Sequence, residues 1–208
     1  MEDLPKSPIQ TPSEWDYDTE TLPEVIDKAD IPDSVDWRKK GVVDKVFNQG
    51  PNDRVAAIVI AQSIESLWAI KSGTFKKASI QEYVDWCDCN KWNITDYECV
   101  AKLGGLAGDE YKSENGTCAS NKYKVEFPIS GGKWVKPFMD EQALAEAVVR
   151  QPIAVGINAS RKSFQMYESG VYYDPVCSGM KLDHAMLVVG YGSMKGEDYW
   201  ICQNSWGK

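Results

Sequence analysis

The stretch Asp183-His184-Ala185-Met186-Leu187-Val188-Val189-Gly190-Tyr191-Gly192 decides how this chain folds. Its apolar run, closed by glycines at 190 and 192, reads as a strand over residues 184–191. A second strand is expected at 198–203, past the turn signal of Gly196, with two more upstream at 153–157 and 171–172. Between Asp140 and Arg150 the pattern is amphipathic and predicts one helix in this half.

Toward the N-terminus the character changes at Pro137. Residues 55–71 carry Val55-Ala56-Ala57-Ile58-Val59-Ile60-Ala61, then Ile64, Leu67, Trp68 and Ile70. A helix whose first two turns are apolar all round is expected to be buried on all sides. Asn52 or Asp53 is placed to cap it, and Gly73 to end it. A second helix is expected from Ser79 to about Trp86. A short third is expected near 95–103, inside a loop-rich stretch over 87–135. Val42, Val43, Val46 and Phe47 predict a short strand before the Gly50-Pro51 turn. Helices first and strands after predict an α+β protein of two lobes, a helical one over 31–136 and a β-rich one over 137–208.

The 208 residues, 43% of them hydrophobic, suffice for one substantial core or two modest ones. The net charge of −8 is unevenly spread, because residues 1–30 hold nine acidic side chains and two lysines. With Pro5, Pro8, Pro12 and Pro23 in it, that segment reads as an extended acidic tail. No basic stripe offers a footprint for nucleic acid or an anionic membrane. No apolar run approaches the roughly 20 residues that span a bilayer. Met1 leads straight into Glu-Asp-Leu-Pro, without a signal-peptide pattern. One histidine and no ordered carboxylate spacing predict no metal site, and no cofactor is expected.

Four separated blocks stand in a fixed order. They are Asp36-Trp37-Arg38-Lys39-Lys40-Gly41-Val42-Val43 leading to Asn48-Gln49-Gly50; Asp183-His184-Ala185; Val188-Val189-Gly190-Tyr191-Gly192 with Tyr199-Trp200; and Asn204-Ser205-Trp206-Gly207. Together they resemble the papain family of cysteine peptidases, its cathepsin L-like branch above all, from about Ile31 to the last residue. The resemblance implies a papain-like fold with a cleft between the two lobes. It gives Gln49 the role of oxyanion donor, His184 that of the base and Asn204 that of orienting the imidazole. Trp206 would shield the His–Asn contact. Gly156, Leu182 and Ala185 would line the pocket for the residue two before the scissile bond.

The departures from the pattern set the expected function. The family reads Gln-Gly-x-Cys-Gly-Ser-Cys-Trp-Ala-Phe where this chain reads Gln49-Gly50-Pro51-Asn52-Asp53-Arg54-Val55-Ala56-Ala57-Ile58. Val55 therefore takes the nucleophile's position, and a hydrocarbon side chain has no proton to lose and no lone pair to attack with. No Ser, Thr or Cys lies between Pro51 and Gln62 to replace it. Ala56 stands for the tryptophan, Asn52 for a disulfide cysteine, and Cys89-Asn90-Lys91-Trp92 for Cys-Asn-Gly-Gly, whose glycines line the cleft. The expectation is a catalytically inactive homologue that binds a peptide, a protease inhibitor or a partner protein. The alternatives are a working cysteine endopeptidase with an unusual site, or a structural or storage protein. Without the neighbouring blocks, His184 reads as a core histidine, Gln49 as a turn residue and Val55 as helix core.

Six cysteines, at 87, 89, 99, 118, 177 and 202, accompany sequons at Asn93, Asn115 and Asn158. Both point to the secreted route or to the lysosomal or endosomal lumen. By the resemblance, Cys118 pairs with Cys87 or else Cys89, and Cys99 takes the one left. The partner of Cys177 would lie beyond Lys208, where by the resemblance either the sequence is cut short or the β-rich lobe lacks its closing strand. Cys202 reads as a small buried residue on a strand. Residues 1–30 resemble the end of a propeptide, which an inactive homologue could not remove by itself.

Overall fold

The computed structural model describes residues 31–51, 54–85, 97–114, 117–177, 179 and 181–207. In chain order the elements are β1 (Val35–Asp36), α1 (Val55–Ser72), α2 (Ile80–Val84), α3 (Tyr97–Lys102), β2 (Gly105–Ala107), β3 (Val125–Pro128), α4 (Glu141–Arg150), β4 (Ile153–Ile157), α5 (Lys162–Gln165), β5 (His184–Met194) and β6 (Glu197–Gln203). The expected cap residues Asn52 and Asp53, the end of the second helix at Trp86, the cysteines at 87 and 89, and the sequon asparagines 93 and 115 lie outside the described residues.

Helix α1 is the axle of the molecule. Every residue from Val55 to Ser66 is buried, as an apolar surface without a polar face requires. By length and composition α1 is apolar enough to cross a membrane, yet 72% of it is buried inside this protein. It ends at Gly73, whose φ of 72° is the left-handed conformation that closes a helix most cheaply on glycine. On one side Ala57, Ile60, Ala61 and Ile64 pack with Tyr83, Val100, Leu106 and Phe127, the core of the helical lobe. On the other, Val55 and Val59 pack with Ala185, Leu187 and Val189 of β5. The same helix thus serves both cores.

The β-rich half is an antiparallel sheet built on β5. Strand β4 runs along it in register Ile153↔Val188 to Ile157↔His184. Strand β6 pairs with it from Met194↔Glu197 to Leu187↔Gln203, with a bulge between Val188 and Gly190. Strand β1 pairs at Val35↔Tyr191 and Asp36↔Gly190, so a segment near the start of the described chain closes on the sheet. That approach needs Gly190: a Cβ there would meet the Val35 carbonyl oxygen at 2.1 Å. Helix α4 begins where the Asp140 carboxylate accepts the Ala143 N–H at 2.7 Å.

Two expected strands are absent. Residues 42–47 form none: Val42 is buried with Trp37 and Ala69, Val46 and Phe47 are exposed, and backbone pairing with residues 205–207 begins only at Phe47. Residues 171–172 form none either, because Tyr172 is held by stacking on Phe164 and Tyr167 rather than by a ladder. Strands β1, β2 and β3 and the single turn of α5 were not expected. Each is short, and a pairing between residues 35 and 191 leaves no local pattern.

Candidate functional site

The segment before α1 is tied to the segment after β6. Gln49 N–H donates to the Ser205 carbonyl at 2.8 Å, Gly207 N–H to the Phe47 carbonyl at 3.0 Å, and Asn48 bridges to Trp206. This pairing sets Gln49 beside Ser205, and β5 delivers His184 next to them. The expected residues Gln49, His184, Asn204 and Trp206 are therefore brought together at the seam between the two halves, and Val55 stands at the first turn of α1 in the cluster that holds Ala185.

Hydrogen bonds fix the polarity of each polar group. Asn204 Oδ1 accepts the backbone N–H of Ser205 at 2.8 Å, so that atom is the carbonyl oxygen of the amide. His184 Nε2 lies 2.8 Å from the same oxygen and must donate to it. Ser205 Oγ donates to Gln49 Oε1 at 2.6 Å, which leaves the Gln49 amide nitrogen facing elsewhere. Trp206 stacks on the imidazole at 4.8 Å between ring centroids. His184 is 0% exposed, and burial holds its pKa below the ordinary value, while Asn204 and the Asp183 charge pull the other way. Burial thus favours the neutral imidazole, whose proton is on Nε2.

Three buried polar atoms of this group have no hydrogen-bond partner among the described residues: Gln49 Nε2, His184 Nδ1 and Trp206 Nε1. Leaving a buried donor or acceptor unpaired costs roughly 1–3 kcal/mol. Val55, 2% exposed, offers neither hydrogen bond nor charge to its surroundings.

The other expected residues fall as follows. Gly156 on β4 is the register partner of Ala185, beside the Ile157↔His184 pair, while Leu182 is half-buried just before β5. Asn158 is half-buried, and its Oδ1 accepts the Ser160 N–H at 3.1 Å. The Ser160 hydroxyl and the Ala159 N–H both go to the Asp183 carboxylate. Cys99 and Cys118 are disulfide-bonded. Cys177, a disulfide candidate by the resemblance, is a free exposed thiol. Cys202, expected to be buried, is exposed instead: strand alternation turns Ile201 into the core and Cys202 outward.

Two polar residues that organise the site were not singled out by the sequence. Ser205 orients both Gln49 and Asn204, and Asp183 ties the end of β4 to the start of β5. Both lie inside quoted motifs, so the signal was present as position but not as role.

Residues 31–208 match the family model described as papain family cysteine protease. Cysteine protease XCP2 of Arabidopsis thaliana is 42% identical over 188 residues, covering 85% of this chain and 52% of its own length. Cathepsin S of Bos taurus is 35% identical over 215 residues, covering 97% and 63%. The chain thus spans 52% to 63% of the length of these relatives. Among solved structures, the bromelain protease from Ananas comosus in complex with the E64 inhibitor is similar with a TM-score of 0.75 at 35% identity, covering 85% of this chain and 84% of that one. The proform of the Amb a 11 cysteine protease, a ragweed pollen allergen, has a TM-score of 0.76 at 35% identity, covering 86% and 57%.

Proposed function

This chain belongs to the papain family of cysteine proteases and has the family's two-lobe α+β fold, and from that premise we propose that it is a pseudopeptidase, which binds a peptide, a protease inhibitor or a partner protein without cleaving it. The observation that carries this reading is Val55. It occupies the nucleophile's place in front of Gln49, His184 and Asn204, and nothing between Pro51 and Gln62 supplies another nucleophile. Acyl transfer by this family's route needs a thiolate to attack the carbonyl and a base to activate it. Here the base and its orienting amide stand ready with nothing to activate.

A second reading, a working peptidase, is favoured by the intact His184–Asn204 bond, which a chain free of the old chemistry need not keep. It requires an attacking group from elsewhere, and therefore ranks behind the first. We take residues 1–30 as a propeptide-like tail, 31–136 as the helical lobe and 137–208 as the β-rich lobe, with β1 crossing to the sheet. The disulfide-bonded Cys99 and Cys118 support a secreted or lysosomal route.

Equilibrium binding tests the proposal. A fluorescent, N-blocked peptide series is titrated with the protein, and the peptides are recovered and weighed by mass spectrometry. Saturable binding with intact peptide is expected. Cleaved fragments favour the second reading, and no saturable binding to any peptide favours a structural or storage role.

A further inference from the structure

One charge beside the seam has no counterpart. The family motif Gln-Gly-x-Cys-Gly-Ser-Cys has serine where this chain has Arg54, directly before Val55. Arg54 opens α1, where its carbonyl accepts the Ile58 N–H at 3.0 Å. Val55 packs on Ala185 of β5, while the Arg54 side chain reaches Gln81 of α2. Arg54 Nη1 donates to Gln81 Oε1 at 3.5 Å, the outer limit of a hydrogen bond. The other guanidinium N–H groups meet no acceptor and no carboxylate among the described residues. The buried carboxylates of the surrounding elements are already satisfied. Asp85 accepts Gln81 Nε2 at 2.5 Å and the Tyr111 hydroxyl at 3.0 Å. Asp183 accepts the Ala159 N–H and the Ser160 hydroxyl. The Arg54 side chain is half-buried, so solvent reaches it and hydrates it only in part. A partly desolvated charge is ordinarily paired.

Resting on the reading of the chain as a pseudopeptidase, we infer that Arg54 makes the chain select acidic peptides, by pairing with a carboxylate that the bound peptide supplies. A guanidinium presents parallel N–H groups that match the two oxygens of a carboxylate. A carboxamide of the same shape brings one oxygen, an opposing N–H donor and no charge, so glutamine is a poor substitute for glutamate. Pairing costs the protein little. Gln81 keeps its bond to Asp85 when it gives up the 3.5 Å contact with Arg54. Asp53, adjacent in sequence, lies outside the described residues. It is the rival carboxylate, and its capture of the guanidinium in the free chain would erase the preference. Unlike a thiol at position 55, this charge holds a peptide without attacking it.

Calorimetric titration of the full chain at pH 7 with three peptides tests the inference. They are N-acetyl-Gly-Phe-Glu-Phe-Gly-amide, its glutaminyl counterpart, and the glutaminyl peptide with a free C-terminus. The glutamyl amide is expected to bind saturably and at least about tenfold tighter than the glutaminyl amide. Tighter binding of the free acid than of the glutamyl amide also supports the pairing, and assigns the carboxylate to the peptide's C-terminus rather than to a side chain. Arg54→Gln should bring all three peptides to one affinity, that of the glutaminyl amide. Arg54→Lys keeps the charge and loses the fork, so it should retain only part of the preference, and it decides the matter should Arg54→Gln not fold. Three results overturn the inference: both carboxylate peptides binding the native chain no tighter than the glutaminyl amide, a preference undiminished in either variant, or no saturable binding of any peptide. Cleavage, seen as new fragments by mass spectrometry, sinks the pseudopeptidase reading itself, and the glutamyl-to-glutaminyl affinity ratio still decides the role of Arg54.

Discussion

A valine at position 55 has one chemical consequence and one physical one. It carries no ionisable proton, and it fills the start of α1 with hydrocarbon that packs against Val59, Ala185 and Leu187. Putting a thiol back tests whether the remaining groups still form the old constellation. In a background with Cys177 and Cys202 changed to serine, Val55→Cys should give a thiol with a pKa below the roughly 8.5 of a free cysteine. Adding His184→Ala should raise it again. Thiolate absorbance against pH measures both, and an unshifted thiol in the first variant would show that residue 55 does not face the imidazole. At this scale the sequence was informative where a motif fixes a residue's place, as for His184 and Asn204, which meet at 2.8 Å. It was silent on Ser205, whose hydroxyl acts on a side chain 156 positions away. It misplaced Cys202, because alternation along β6 depends on which face the sheet turns to the core.

Elements were legible in proportion to their length. The 18-residue α1 and the 11-residue β5 carry enough pattern to be read from composition. The two-residue β1 exists only because Gly190 lets it approach. Gly190→Ala should accordingly displace β1 and cost about 1–3 kcal/mol as overpacking, seen in the denaturant midpoint. A cost near zero would mean that β1 is not held where the Val35↔Tyr191 register puts it. Caps behave more simply. Asp140→Ala removes the acceptor for the Ala143 N–H and should lower stability by about 1 kcal/mol, with no change in ligand binding at the seam. A change in binding would tie α4 to the site in a way the contacts do not suggest. The strand expected over 42–47 failed for a related reason. Apolar residues mark a strand only when a partner edge is present, and there the partner begins at Phe47.

At the scale of the whole molecule, two buried groups make stability depend on pH in opposite directions. Burial pushes the Glu65 carboxyl up to about 8 from its ordinary 4.5. The folded chain then holds a proton that the unfolded chain has lost, so this contribution is complete below 4.5 and is lost as pH rises through about 8. Burial lowers His184, whose contribution is present above its ordinary 6.5 and is lost as pH falls through its folded value. Denaturation from pH 5 to 9 should show stability falling by up to about 1.4 kcal/mol per pH unit between 6.5, where His184 stops opposing it, and about 8, and levelling off above that. Glu65→Gln should flatten that limb, and an unchanged limb would contradict the assignment. The two-lobe plan was legible because helical and strand patterns occupy different halves of the chain. The crossing of β1 into the sheet was not, since it depends on closing a loop of more than 150 residues. The central claim is that this chain keeps the family's frame without its chemistry. It is tested most directly by incubating the purified protein with a broad fluorogenic peptide mixture from pH 4 to 8, beside a His184→Ala control. No turnover in either is the predicted result. Turnover that vanishes in the control would contradict the account and would mean that an attacking group other than residue 55 serves this site.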